Sequence, residues 1–104
     1  MYKVHIVNVK TFKGPHYYVG RPSPLGNPFT IQEHGRTEAL RRYKEWLNLQ
    51  YVTNNQRVIA RLHSLAKDLK NMGSITLSCW CAPQDCHATL IGKALITLIN
   101  RKKI

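Results

Sequence analysis

Apolar and polar residues alternate at the start of the chain, which is the pattern of a half-buried β-strand. Across residues 2–9, one side of an extended backbone carries Val4, Ile6 and Asn8, and the other carries Lys3, His5, Val7 and Val9. A shorter β-prone run follows at residues 16–19, after the Gly14-Pro15 break. These two segments predict two strands near the beginning of the fold.

Two segments in the middle of the chain repeat apolar residues at helical spacing. The first runs from Arg36-Thr37 to about Tyr51, and Thr53-Asn54-Asn55-Gln56 introduces the second. That tetrapeptide has the form of a capping box, in which the threonine hydroxyl accepts the third amide and the glutamine reaches back. Asn71-Met72-Gly73 ends the second helix, because glycine readily takes the left-handed conformation of a helix stop. The predicted stripes are Leu40, Tyr43, Leu47 and Tyr51, then Val58, Ile59, Leu62, Leu65, Ala66 and Leu69.

The last third of the chain predicts a buried strand, a short turn and a final helix. Residues 74–81 are apolar enough for a central strand, and strand alternation then places Cys79 and Cys81 on the same face of the sheet. Ala82-Pro83-Gln84 turns the chain. Asp85 is a good N-cap for a helix from Cys86 to about Arg101. The apolar face of that helix comprises Leu90, Ile91, Ala94, Leu95, Leu98 and Ile99.

This order of elements predicts the fold class. A β-β-α-α-β-α chain of 104 residues suits one small α/β domain, with a single sheet flanked by helices. Helices that separate strands favour a sheet that is at least partly parallel. We therefore expect residues 1–104 to form a single domain.

The composition adds a strong positive charge to this picture. Lys and Arg number 16 against five Asp and Glu, which gives a formal net charge of +11. The charge is spread along the chain, with clusters at residues 41–44, 57–70 and 101–103, so no single basic tail explains it. A polyanion, with nucleic acid the favoured candidate, is the expected partner, and a basic solvated surface is the plain alternative.

The sequence also suggests where the protein works. It has no run of 18 apolar residues, and its first residues lack the pattern of a signal peptide. We therefore expect a cytoplasmic protein, of a bacterium or an infected host, with no membrane partner. Three cysteines crowded into eight residues make a poor disulfide framework and suit the thiol or metal chemistry of a reducing compartment.

The cysteine cluster at residues 79–87 supports three interpretations. In the first, Cys79, Cys81, Cys86 and His87 bind zinc, although adjacent helical residues diverge by about 100°. In the second, Cys86 is a catalytic thiolate or redox thiol that His87 and the positive end of the last helix activate. In the third, the cysteines are small buried apolar residues and the histidine makes a structural hydrogen bond.

A proline- and glycine-rich loop at residues 20–29 is the second candidate site. Arg21 is suited to bind a phosphate or carboxylate, and Ser23 and Asn27 supply polar groups. Gly26 lets the backbone approach a ligand closely. The alternative is a stiff surface connection in which Leu25 and a neighbouring phenylalanine only fill the core.

These motifs together resemble the family catalogued as domain of unknown function 4326, found in bacteria and phages. The family pattern is Gly-Arg-Pro-Ser-x-x-Gly-Asn-Pro-Phe, an aromatic-rich helix, and Leu-x-Cys-x-Cys-x-Pro-x-x-Cys-His. The chain matches at residues 20–29, 43–47 and 77–87, although Ala88 stands where that family commonly has glycine. The resemblance implies that both motifs form a site and supplies no substrate.

Three hypotheses of function follow. The first is a binding protein for nucleic acid or a nucleotide-like phosphate, in which Arg21, the Gly26-Asn27 backbone and the helix start at Cys86 line one pocket. The second is a small enzyme that uses Cys86 and His87 on a nucleotide or nucleobase, with or without zinc. The third is a phage-type inhibitor whose basic helices contact an acidic host protein.

Overall fold

A computed structural model describes residues 1–82, 84 and 86–104 of the chain. The described elements are β1 (Lys3–Asn8), β2 (Tyr17–Tyr18), α1 (Ile31–His34), α2 (Arg36–Val52), α3 (Gln56–Met72), β3 (Ser74–Cys79) and α4 (His87–Asn100). Their order confirms the predicted β-β-α-α-β-α succession, to which the structure adds the one-turn helix α1. None of the described helices is both long enough and apolar enough to cross a membrane.

The sheet is parallel, with β3 between β1 and β2. Val4 of β1 lies opposite Ile75, and Tyr17 of β2 lies opposite Leu77. β3 takes the central place because its apolar side chains are buried, which agrees with the prediction of a central strand. In a parallel sheet all carboxyl ends meet at one edge, so the segments after β1, β2 and β3 come together there.

The helices bury their apolar stripes against this sheet and against each other. α3 and α4 contact both the sheet and one another, and α2 packs on both of these helices. Gly92 lets α4 lie close to β1, because a Cβ at this position would already be 3.2 Å from the Val4 side chain. Each leucine buried in this core contributes about 1.5–3 kcal/mol. The fully buried leucines and isoleucine among the described residues are Leu25, Leu62, Leu65, Leu69, Leu77, Ile91 and Leu95.

The junction between α2 and α3 differs from the predicted capping box. Asn55, not Thr53, caps α3, and its side chain accepts the amide hydrogen of Arg57. Thr53 is instead the C-cap of α2, and its hydroxyl donates to the carbonyl of Leu49. The box fails because Asn54 takes a left-handed conformation, φ 63°, which turns the chain before the new helix begins. The predicted stop at Gly73 is confirmed, with φ 83°.

The start of α4 agrees with the prediction to within one residue. The helix begins at His87, and Cys86 occupies the N-cap position with an extended backbone. The prediction that Asp85 is the N-cap falls on a residue outside the described part of the chain. The predicted strand ran to Cys81, whereas β3 ends at Cys79, so strand alternation does not relate these two cysteines.

Tyr43 ties α2 to the 20–29 loop. Its side chain is fully buried, and its hydroxyl donates to the carbonyl of Leu25 over 2.7 Å. We expect Tyr43→Phe to lower the free energy of unfolding by about 1–3 kcal/mol, because the buried carbonyl loses its partner. Urea denaturation measures this difference. Tyr2→Phe is the matched control, since that hydroxyl has no partner among the described residues, and an equal loss there would refute the assignment.

Candidate functional site

A cleft of about 250 Å³ opens at the carboxyl edge of the sheet. Open parallel sheets commonly bind ligands at this edge. The cleft lies between the loop after β2 and the junction of β3 with α4. The lining residues that supply its polar, sulfur and aromatic groups are Arg21, Asn27, Cys79, Trp80, Cys86 and His87.

Trp80 is held at the mouth of the cleft by two hydrogen bonds in series. Its indole N–H donates to the hydroxyl of Tyr18 over 3.0 Å, and that hydroxyl donates to the carbonyl of Arg21 over 2.6 Å. A side chain at Gly20 would collide with the same hydroxyl, so the connection requires glycine there. The indole is 62% exposed, which leaves an aromatic surface beside Arg21.

The loop itself is rigid and closely packed. Gly26 lies so near the Arg21 backbone that a Cβ would be 2.9 Å from its Cα. Asn27 accepts the amide hydrogen of Phe29 and donates to the carbonyl of Ala39, so its side chain fixes the loop to α2. These contacts hold Arg21 at the cleft with its side chain exposed to solvent.

Cys79 and Cys86 place their sulfur atoms 2.7 Å apart in the wall of the cleft. The side chains are 1% and 3% exposed, and both cysteines are free. The Cys86 thiol donates to Cys79, and the amides of Cys81 and Ala82 also stabilise a thiolate there, so the pKa of Cys79 falls to about 6. The pKa of Cys86 rises, because its proton is held between the two sulfurs and because it is buried. One of the three interpretations from the sequence has the thiolate on Cys86, whereas these contacts favour Cys79.

His87 joins the helix to the loop. Its Nε2 lies 2.7 Å from the carbonyl oxygen of Val19, and because a carbonyl only accepts, Nε2 carries the ring proton. The ring also makes an edge contact with Tyr43, with centroids 5.1 Å apart. Burial lowers the pKa of His87 below its ordinary value, so the imidazole is neutral at pH 7.

The predicted zinc ligands are only partly brought together. Cys79 and Cys86 are adjacent, whereas the Nε2 of His87 is engaged by Val19. Within the described part of the chain, no three His, Cys, Asp or Glu side chains are grouped so that they could hold a metal ion. The described residues therefore do not form the four-ligand site that the sequence suggested.

The predicted loop residues divide into two groups. Arg21 and Asn27 line the cleft together with the cysteine motif, whereas Ser23 and Gly26 are not among the residues that line it. The Ser23 hydroxyl is buried with no hydrogen-bond partner among the described residues.

Sequence reasoning missed the two residues that shape the mouth of the cleft. Tryptophan is more often a core residue than a contact residue, so its type alone did not mark Trp80 as part of a site, and Tyr18 was assigned only to a strand. The available signal was position: both lie at the carboxyl ends of parallel strands, β2 and β3, where ligands tend to bind.

The thiol pair makes a prediction about titration. Ultraviolet thiolate absorbance should show one thiol that ionises near pH 6, well below the ordinary pKa of a cysteine. Cys79→Ser should abolish this step. Cys86→Ala should move the step toward the ordinary value, because the S–H donor is gone.

Cys81→Ser is the matched control for that titration, since Cys81 lies outside the pair, and the step near pH 6 should remain. A wild-type protein that shows no thiolate below pH 7 would contradict the shared proton.

Comparison with known proteins identifies the family of the chain. No curated protein and no solved structure matches the sequence significantly. The model of the family described as domain of unknown function 4326 matches residues 5–97 of the 104, and the chain therefore belongs to that family.

Proposed function

We propose that this protein binds a nucleotide, free or at the end of a nucleic-acid strand, in the cleft at the carboxyl edge of the sheet. The observation that carries the proposal is the exposed indole of Trp80, fixed through Tyr18 beside Arg21. A base stacks on the indole, and the guanidinium binds the phosphate.

The charges around Arg21 support this assignment. The ion pairs formed by the described residues involve Arg41, Arg42 and His34, and Arg21 is in none of them. The positive end of the α4 dipole also lies at the cleft, since Cys86 is the N-cap of that helix. An anionic group therefore finds two favourable partners there.

The size of the cleft limits the ligand. Its volume of about 250 Å³ is just below the range of roughly 300–1,000 Å³ that is usual for small-molecule sites. One nucleotide unit suits this volume better than a longer stretch of strand. The net charge of +11 then adds non-specific attraction for any further phosphates.

Quenching of the exposed tryptophan tests the proposal. Titration with a nucleoside monophosphate should quench fluorescence, and its affinity should fall modestly as salt is added, because salt screens the attraction between Arg21 and the phosphate. Short single-stranded DNA and RNA should bind more tightly with a steeper dependence on salt. Absence of binding to all these probes at low salt would refute the proposal. Quenching by inorganic phosphate alone, as strong as by the nucleotide, would refute the stacking part.

The thiol pair favours a second candidate, a small enzyme that acts on a nucleotide or nucleobase. Cys79 has the lowered pKa of a nucleophile and lines the same cleft. Cys86 would then be the residue that lowers that pKa, and His87 a positioning residue. Two results together would exclude this candidate. Wild-type protein would bind the nucleotide and release it chemically unchanged, and Cys79→Ser would bind it with the same affinity.

The zinc hypothesis and the inhibitor hypothesis are each tested by a separate experiment. Elemental analysis of protein purified without chelator decides whether zinc is present in stoichiometric amount. Pull-down from nuclease-treated lysate separates an inhibitor that contacts a host protein from nucleic-acid bridging. For all these functions we propose a cytoplasmic setting, because three free cysteines suit a reducing compartment.

A further inference from the structure

A second concave surface lies between α2 and α4 and shares no residue with the cleft. Its volume is about 450 Å³. Leu62 of α3 lies in its lining together with residues of the two flanking helices and the end of the chain. We call it the helical groove, and its residues are Lys44, Leu47, Asn48, Tyr51, Leu62, Leu90, Lys93, Ala94, Thr97, Leu98, Arg101 and Lys103.

The helical groove is apolar inside and cationic along its edges. Leu47, Leu62 and Leu98 are buried, and the other apolar side chains that line it are half-buried. Its charged residues are Lys44, Lys93, Arg101 and Lys103, all exposed, and the lining contains no acidic residue. A partner must therefore bring both apolar groups and negative charge.

The spacing of the lining residues fits a helix as occupant. On α4 they recur from Leu90 to Arg101 at intervals of three and four residues, which is a stripe about 16 Å long. On α2 they recur from Lys44 to Tyr51, a stripe of about 10 Å. Two helical stripes with an apolar floor form the kind of groove that accepts the apolar face of a third helix.

We propose that the helical groove binds an acidic amphipathic helix of a partner protein. The apolar face of that helix, with residues at i, i+3, i+4 and i+7, covers the leucines, and flanking Asp or Glu residues meet the four cations. A nucleic-acid strand would satisfy the cations and leave the apolar floor exposed to water. This site is independent of the nucleotide proposal, because the two surfaces have no residue in common.

The test maps binding on the full ¹⁵N-labelled chain. The probe is a synthetic peptide of about 15 residues, four helical turns, with leucines at i, i+3, i+4 and i+7 and glutamates on the flanks. A second peptide of the same composition has its leucines placed so that they form no stripe. We expect the first peptide to shift the amide resonances of α2 and α4 around the helical groove, and the second to bind at least tenfold more weakly.

Variants separate the groove from general electrostatics. The double variant Lys44→Glu/Lys93→Glu should lower the affinity for the striped peptide at least tenfold. The control Lys10→Glu/Lys67→Glu makes the same change of net charge outside the groove and should have little effect. Leu90→Ala should lower the affinity about tenfold without a change of charge. Trp80→Ala should leave peptide affinity unchanged, so failure of the nucleotide proposal is distinguishable from failure of this one.

Three outcomes would overturn the inference. The first is equal binding of the two peptides, and the second is an equal effect of the two charge-reversal pairs. The third is a result in which a single-stranded oligonucleotide or anionic phospholipid vesicles shift the groove resonances and the striped peptide does not.

Discussion

Replacing Arg21 and Trp80 together by alanine is expected to weaken nucleotide binding by at least about sixtyfold. Stacking of one base on an aromatic side chain is worth roughly 1–3 kcal/mol, and a charge-assisted hydrogen bond to phosphate roughly 1.5–3 kcal/mol. Each 1.4 kcal/mol changes the dissociation constant about tenfold. Isothermal titration calorimetry with a nucleoside monophosphate measures the loss, since the fluorescent reporter is removed.

The single variants should separate the contribution of the phosphate contact from that of base stacking. Arg21→Ala should flatten the salt dependence, because a phosphate contact is lost, whereas Trp80→Ala should weaken binding equally at every salt concentration. Tyr18→Phe should cost several-fold, since Trp80 loses the hydroxyl that fixes it. Arg57→Ala is the matched control, an exposed arginine outside the cleft. If Arg57→Ala lowers the affinity for the nucleotide as much as Arg21→Ala does, the nucleotide is bound by general attraction to a basic surface and not by the cleft.

The fold could be predicted because its signals are local and periodic. The stripe at Val58, Leu62, Leu65 and Leu69 has only one way to be buried on a helix, and the glycine at position 73 marks its end. The run of buried residues in β3 could only be central. The short helix α1 was missed because it carries no buried residue, so no apolar period marks it.

The two motifs of the candidate site could be predicted from the sequence, whereas the contacts between their residues could not. Both motifs were found from their chemistry, and the parallel sheet brought them to one edge. The contact between Cys79 and Cys86 was not predicted, because strand alternation had placed Cys79 and Cys81 on one face of the sheet. β3 ends at Cys79, so this alternation does not reach Cys81. Where a strand ends depends on its pairing partners, and here Asn8 of β1 pairs with Cys79 as the last residue of the ladder.

The capping box illustrates the same limit at shorter range. Four residues that could form a box were present, and the chain used one of them, Asn55, as the cap. The competing factor is the left-handed conformation of Asn54, which asparagine adopts more readily than other non-glycine residues. Local propensity therefore offered two solutions, and the chain with Asn54 in this conformation uses the cap at Asn55.

His87→Ala is expected to lower the free energy of unfolding by about 2–4 kcal/mol. The substitution leaves the buried Val19 carbonyl without its donor, at roughly 1–3 kcal/mol, and removes the edge contact with Tyr43, at roughly 0.5–1.5 kcal/mol. The loss should be accompanied by weaker nucleotide binding, because this bond fixes the start of the 20–29 loop to α4. Urea denaturation with and without nucleotide measures both effects.

The same residue should make stability depend on pH. Because burial depresses the pKa of His87, the unfolded chain takes up its proton first, so stability is complete above the ordinary value of 6.5 and declines as pH falls below it. Below pH 6.5 stability should therefore fall as pH falls, and the slope has an upper limit of about 1.4 kcal/mol per pH unit, the value for one proton taken up on unfolding. Cys79 adds a smaller slope of the same sign near pH 6, because with a pKa of about 6 its thiol is partly ionised in the folded state and protonated in the unfolded chain. His87→Ala should reduce the slope between pH 6 and pH 5, and His5→Ala, at an exposed histidine, should leave it unchanged, so an undiminished slope in His87→Ala would show that a different group is titrating.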